Sequence, residues 1–247
     1  MNTIKYSKKQ QGFTLVEIAI VLVIIGLLLG GVLKGQELIN SARVRNMADQ
    51  NSGIQAAYYG FVDRYRSVPG DMLPLDACNA IGANQLEVAS CASYAIGGNG
   101  NGRLEEGDFP EAAAVWRHLT AANFLTNSYT GVAANNGVYT VNTVAPANAF
   151  GGRVLLGTTD TYLTTASSTA STRLGFIVGR ETPVTILAEL DTKVDNGKPQ
   201  SGVLRATVQT SSDYGAVGER ATGCVEATNN LWDVTNEIQD CNAIYLY

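Results

Sequence analysis

The run from Phe13 to Leu33, FTLVEIAIVLVIIGLLLGGVL, constrains this chain more than any other feature. Its 21 residues include one ionisable side chain, Glu17. As an α-helix the run is about 31 Å long, which matches the hydrocarbon core of a bilayer. Residues 1–12 carry Lys5, Lys8 and Lys9 and no acid, so that end stays in the cytoplasm and the remaining chain faces outward. Two simple readings are a cleaved signal peptide ending near Gly30-Gly31 and a plain signal anchor. The first is weakened because the run exceeds the usual apolar stretch and no A-x-A site follows it. Neither explains Glu17. A carboxylate at such a depth costs about 2.5–3.5 kcal/mol on insertion scales, so it marks a function and calls for a partner.

Gly12-Phe13-Thr14-Leu15-Val16-Glu17 resembles the class III signal sequence of type IV prepilins and type II secretion pseudopilins. The resemblance is close over residues 1–66 and looser beyond. It implies that a prepilin peptidase, also an N-methyltransferase, cuts between Gly12 and Phe13 and methylates Phe13. It further implies that Glu17, fifth in the mature chain, pairs with the Phe13 ammonium of a neighbouring subunit. Physical chemistry agrees with that implication: two charges costly alone neutralise each other in an apolar bundle. Breaking such a buried pair costs about 3–5 kcal/mol. The alternative, Glu17 pairing with its own N-terminus, leaves the anchor intact. The implied partners are other pilin subunits, the peptidase, an inner-membrane assembly platform and membrane lipid. The implied location is the inner membrane before processing, then a periplasmic or extracellular filament.

Gly26 and Gly30 are four residues apart, as are Gly31 and Gly35. Small residues at this spacing let apolar helices approach closely, or tolerate a kink. Beyond Lys34, Ile54, Tyr58, Phe61, Tyr65 and Val68 follow one face of a helix. Ser67-Val68-Pro69-Gly70 ends it, because the residue before proline avoids helical dihedrals. The organisation is therefore a leader at 1–12, a transmembrane and filament-core helix at 13–33, an amphipathic continuation at 34–66 and a globular head at 67–247.

Four cysteines allow three pairings in the head, and sequence does not select among them. Proximity favours Cys78–Cys91 and Cys224–Cys241, and a C-terminal disulfide loop resembles one in pilin heads. Gly97 to Asp108 is similar to a degenerate EF-hand loop, with Asn99, Asn101, Arg103 and Asp108 as candidate calcium ligands. Gly97 stands where that motif wants Asp, and Asp108 where it wants Glu. Asp108 with Glu111 also reads as the N-terminal cap of a helix over 109–124. Val115, Leu119 and Ala122 give this helix a buried face, with His118 a packed or surface residue beside them. Val138–Val141, Val154–Leu156, Phe176–Val178, Val203–Val208 and Ala243–Tyr247 read as strands. Thr182-Pro183 opens a helix with Ile186, Leu190 and Val194 on its buried face, ended by Asn196-Gly197. Ala145–Ala149 and Thr164–Thr172 read as exposed loops.

A formal charge of −5 and a single His argue against a dedicated nucleic-acid binder and against His-based metal sites. No nucleophile elbow, P-loop, zincin or dinucleotide fingerprint occurs. The reading is an α+β, type IV pilin-like chain: a long N-terminal helix with an antiparallel-sheet head, needing no cofactor and performing no catalysis. Its function is a structural filament subunit, a minor or elaborated major pilin. The alternatives are a type II secretion pseudopilin and, from another class, a membrane-anchored extracytoplasmic binding module or enzyme.

Overall fold

The computed structural model describes residues 15–132, 142–165, 168–208, 214 and 217–247. Gly12, Phe13 and the expected strand at Val138–Val141 lie outside these residues. The chain divides between Ala42 and Arg43 into two units.

Helix α1 covers Leu15–Tyr65. No proline interrupts this stretch, and γ-branched Leu and β-branched Val and Ile side chains fill its first part. In the first unit nearly every side chain from Leu15 to Ile39 is exposed, Leu15 by 91% and Leu27 by 74%. An 18-residue window of α1 reaches a mean hydropathy of 2.8, so the helix is long and apolar enough to cross a membrane. Lys34 and Glu37 form an exposed ion pair at 2.7 Å, one helical turn apart.

In the second unit the α1 residues Val44, Met47, Ile54, Ala57, Tyr58 and Phe61 are buried. The expected stripe thus holds at its centre and extends about three turns further back, to Met47 and Val44, while Tyr65 and Val68 are only partly covered. Arg66 adopts a positive φ of 55° and closes α1 with its N–H on the Val62 carbonyl. The Phe61 ring stacks on His118 at 6.3 Å and meets Phe124 at 6.1 Å. Gly60 permits that approach: a methyl group there would sit 2.8 Å from the Phe124 ring.

Helix α2 is Pro74–Ile81 and α3 is Phe109–Ala121. Trp116, Val115, Leu119 and His118 of α3 are fully buried. Strands β1 (Leu155–Thr159), β2 (Arg173–Ile177), β3 (Leu204–Ala206) and β4 (Ala243–Leu246) form one antiparallel sheet in the order β1-β2-β4-β3. Helix α4, Val184–Val194, lies between β2 and β3 in sequence. The last strand inserts centrally, with Phe176 opposite Tyr245 on one side and Leu204 opposite Tyr245 on the other. All four β4 residues are buried, as a central strand covered on both faces requires. Tyr247 donates its hydroxyl proton to Asn51 Oδ1 at 2.6 Å, tying the chain end to α1.

Three expectations need correction. Pro183 precedes α4 as its N-cap rather than occupying its first turn, and Val194 is 37% exposed while Ile186 and Leu190 are buried. Helix α3 ends at Ala121, because Asn123 takes a positive φ of 63°. Ala145–Ala149 is not an exposed loop: Ala145 and Asn148 are buried. Asn148 Oδ1 accepts the N–H groups of Phe150 and Gly152, and its amide faces the carbonyls of Val178, Gly179 and Arg180. A polar side chain so fully satisfied can be buried without penalty.

Candidate functional site

Glu17 lies in the first turn of α1, where an acid also complements the helix dipole. Gly26, Gly30, Gly31 and Gly35 are helical, and a Cβ added to any of them meets nothing within 4 Å. They therefore form small-residue positions on a helix whose surrounding Leu, Ile and Val side chains have no protein cover. In water such a surface is a large penalty, at about 25 cal/mol per Å² of apolar area. The segment needs lipid or other apolar helices around it.

Both proximate disulfides form, Cys78–Cys91 with Cα atoms 5.3 Å apart and Cys224–Cys241 at 5.7 Å. The first links α2 to a short 3-10 turn at Cys91–Ser93. The second closes the loop that leads into β4.

The glycine-rich loop is organised by two carboxylates for which its own sequence gives little signal. Asp71, 3% exposed, follows the Pro69-Gly70 turn. It accepts the N–H groups of Gly100 and Asn101 on Oδ1 and of Gly102 on Oδ2, at 2.9, 3.1 and 2.8 Å. Glu111 accepts the N–H groups of Asn99 and Glu105 at 3.2 and 2.6 Å, so it does not reach back to Asp108 as a capping box would. Burial pushes its carboxyl above the usual range, with these hydrogen bonds opposing. Asp108 caps α3 by accepting the Glu111 N–H at 3.0 Å. The amides of Asn99 and Asn101 both donate to Glu105, and Arg103 forms an ion pair with it at 3.6 Å. The four residues named as calcium ligands thus hold protein partners. Among the described residues no group of three or more His, Cys, Asp or Glu side chains is gathered for a metal.

His118 acts as a brace. Its Nδ1 accepts the Gly70 N–H at 2.9 Å, which places the proton on Nε2, facing the Ile96 carbonyl at 3.4 Å. Burial pushes its pKa down to about 4. The stability this neutral ring contributes is complete above pH 6.5 and is lost as pH falls toward 4, because only the unfolded chain binds the proton in that window. Asp191 works oppositely. Burial raises it to about 6 despite the hydrogen bond from Trp232 Nε1, so its share is complete below 3.8 and declines as pH rises through 6. We expect His118→Asn to flatten the acid slope of stability by up to about 3 kcal/mol between near-neutral pH and pH 4. Urea unfolding midpoints of the detergent-solubilised chain at both pH values measure it; an unchanged slope contradicts the assignment.

Comparison with known proteins adds one finding at the other end of the chain. Residues 7–33 match the prokaryotic N-terminal methylation motif. No curated protein and no solved structure matches the chain. The motif is the class III signal of type IV pilins and pseudopilins. With the apolar α1 and the α+β head, it fits a membrane-anchored protein similar to the type IV pilins and pseudopilins. It also implies processing by prepilin peptidase and assembly with other pilin subunits.

Proposed function

We propose that this chain is a structural subunit of a type IV pilus-like filament, a minor or elaborated major pilin whose head performs no catalysis. The observation that carries the reading is the coincidence of the methylation motif at residues 7–33 with a helix whose apolar side chains are uncovered from Leu15 onward. Processing at Gly12–Phe13 strips Lys5, Lys8 and Lys9 and leaves an ammonium at Phe13. The helix then keeps its membrane solvent before extraction and exchanges it for neighbouring helices afterwards. Gly26, Gly30, Gly31 and Gly35 allow close approach in the bundle, and Glu17 sets the axial register by pairing with the Phe13 ammonium of the next subunit.

The deciding measurement is the N-terminal peptide mass of this chain in material sheared from the cell surface. The expected result is an N-methylated Phe13. A chain starting near Val32 overturns the reading, since it makes residues 1–31 a signal peptide. A methylated Phe13 found in the membrane and periplasm but never in sheared filaments assigns the chain to the secretion pseudopilins.

A further inference from the structure

Asn-Gly is the dipeptide most exposed to self-inflicted chemistry. The glycine nitrogen attacks the asparagine Cγ, the Cγ–Nδ2 bond breaks, ammonia leaves, and water opens the succinimide to Asp or isoaspartate. Glycine has no side chain to hinder that attack, and asparagine is correspondingly a thermolabile residue. This chain contains four such pairs, at Asn99-Gly100, Asn101-Gly102, Asn136-Gly137 and Asn196-Gly197. The third lies outside the described residues.

The other three share one arrangement. Gly100, Gly102 and Gly197 adopt φ values of 75°, 90° and 72°, a conformation that side-chain-bearing residues rarely take. The turns therefore demand the glycine that makes the asparagine vulnerable. In each pair the attacking nitrogen donates its hydrogen to a buried aspartate. Gly100 and Gly102 donate to Asp71, at 2.9 and 2.8 Å, and Gly197 to Asp191 Oδ1 at 3.2 Å. Asp71 is 3% exposed and Asp191 fully buried. The asparagine oxygens are engaged as well: Asn99, Asn101 and Asn196 each accept the N–H two residues on, at 3.0, 3.1 and 2.9 Å.

We propose that Asn99, Asn101 and Asn196 are latent deamidation sites and that Asp71 and Asp191 hold them closed. The carboxylate acts in two ways. It aims the glycine N–H away from Cγ, so the near-attack geometry that a cyclisation needs is not populated. It also sets a negative charge beside a nitrogen that must lose its proton to react, which disfavours the anionic nucleophile. The consequence belongs to the head alone and does not depend on filament assembly. An isoaspartate would insert an extra backbone carbon into a loop that carries hydrogen bonds from four consecutive residues, Asn99 to Gly102. A subunit that is held for long outside the cell gains from this protection.

The test incubates the full-length chain in detergent at mildly alkaline pH, below its melting transition, and maps isoaspartate and acid at each pair by peptide mass. In the folded wild type the three pairs should react at least about tenfold more slowly than in the same chain reduced and denatured, a difference of about 1.4 kcal/mol in barrier. Asp71→Ala should raise the rates at Asn99 and Asn101 at least severalfold and leave Asn196 unchanged. Asp191→Ala should do the reverse. Each variant is thereby the other's control, because general loosening accelerates all three together. Where an alanine variant loses its melting transition, Asp71→Asn replaces it. One amide oxygen cannot serve both sets of donors, so either Asn99 or Asn101 should accelerate while Asn196 stays slow. Wild-type rates equal to the denatured chain, or variants that leave their local pairs slow, overturn the proposal.

Discussion

Replacing Glu17 by alanine leaves processed, membrane-held subunit at wild-type amounts and reduces its incorporation into filaments by about two orders of magnitude. The magnitude follows from the pair that Glu17 is proposed to make. In the membrane a glutamate is a cost, so removing it does not weaken anchoring and should ease it by up to about 3 kcal/mol. In the filament the same change leaves the Phe13 ammonium of a neighbour buried without its counter-charge, at about 3–5 kcal/mol. Each 1.4 kcal/mol is about a factor of ten, so the lower end already gives a hundredfold. Glu17→Gln discriminates further: it keeps size and hydrogen bonding, and it should recover only part of the assembly if charge neutralisation is the requirement. Immunoblots of sheared and membrane fractions read both pools. Equal incorporation of the alanine variant would remove Glu17 from assembly and leave it a tolerated acid at a helix N-terminus.

The parts of this structure visible in the sequence were those where periodicity or spacing is local. The uncovered first half of α1 is legible because no other arrangement suits so apolar a run with one charge. Ile54, Tyr58 and Phe61 are legible by their helical spacing, whereas Val44 and Met47 are obscured by Arg43, Arg45 and Asn46 beside them. Asp108 as the α3 cap follows from its position before Phe109-Pro110. Long-range pairings were not visible. Nothing local says that Asp71 gathers the backbone of Gly100, Asn101 and Gly102 about thirty residues later. The same holds for His118, whose ring is spent on the Gly70 N–H 48 residues away. Glu111 shows how a local rule misleads: its spacing from Asp108 suits a capping box, yet two loop N–H groups capture the carboxylate. Small and polar residues at Ala145–Ala149 read as surface for the same reason, since the carbonyls that meet the Asn148 amide come from Val178, Gly179 and Arg180, about thirty residues later.

Asn148→Ala should destabilise the head by about 3–5 kcal/mol. The amide sits within 3.2 Å of the Val178, Gly179 and Arg180 carbonyls and of Thr182 Oγ1. Its oxygen accepts Phe150 and Gly152 at 2.8 and 2.9 Å. Truncation takes the acceptor from the buried Gly152 N–H and the half-buried Phe150 N–H and leaves several carbonyls short of a donor, each costing about 1–3 kcal/mol. Repacking offers little relief, since a Cβ on Gly152 would run into the Arg180 carbonyl and that side of the turn cannot carry a larger residue. The damage should spread in a defined direction. The 145–153 turn bonds to α1 through Gln50, whose Nε2 donates to the Ala147 carbonyl at 2.9 Å, and through Arg43 stacked on Phe150 at 4.8 Å. The 178–182 segment leads from β2 into α4. Asn148 therefore couples the head's part of α1 to the sheet, and its loss should expose the amides of Phe150 and Gly152 to hydrogen exchange while those of α3 stay protected. Asn148→Asp separates geometry from charge: it keeps the two accepted bonds but turns an anion toward three carbonyls, so it should be at least as destabilising at neutral pH and recover when protonated. Thermal melts with hydrogen exchange on the detergent-solubilised chain decide it. A melting point for Asn148→Ala within a degree or two of wild type (a change of at most about 1 kcal/mol) would show that the amide is dispensable to the coupling.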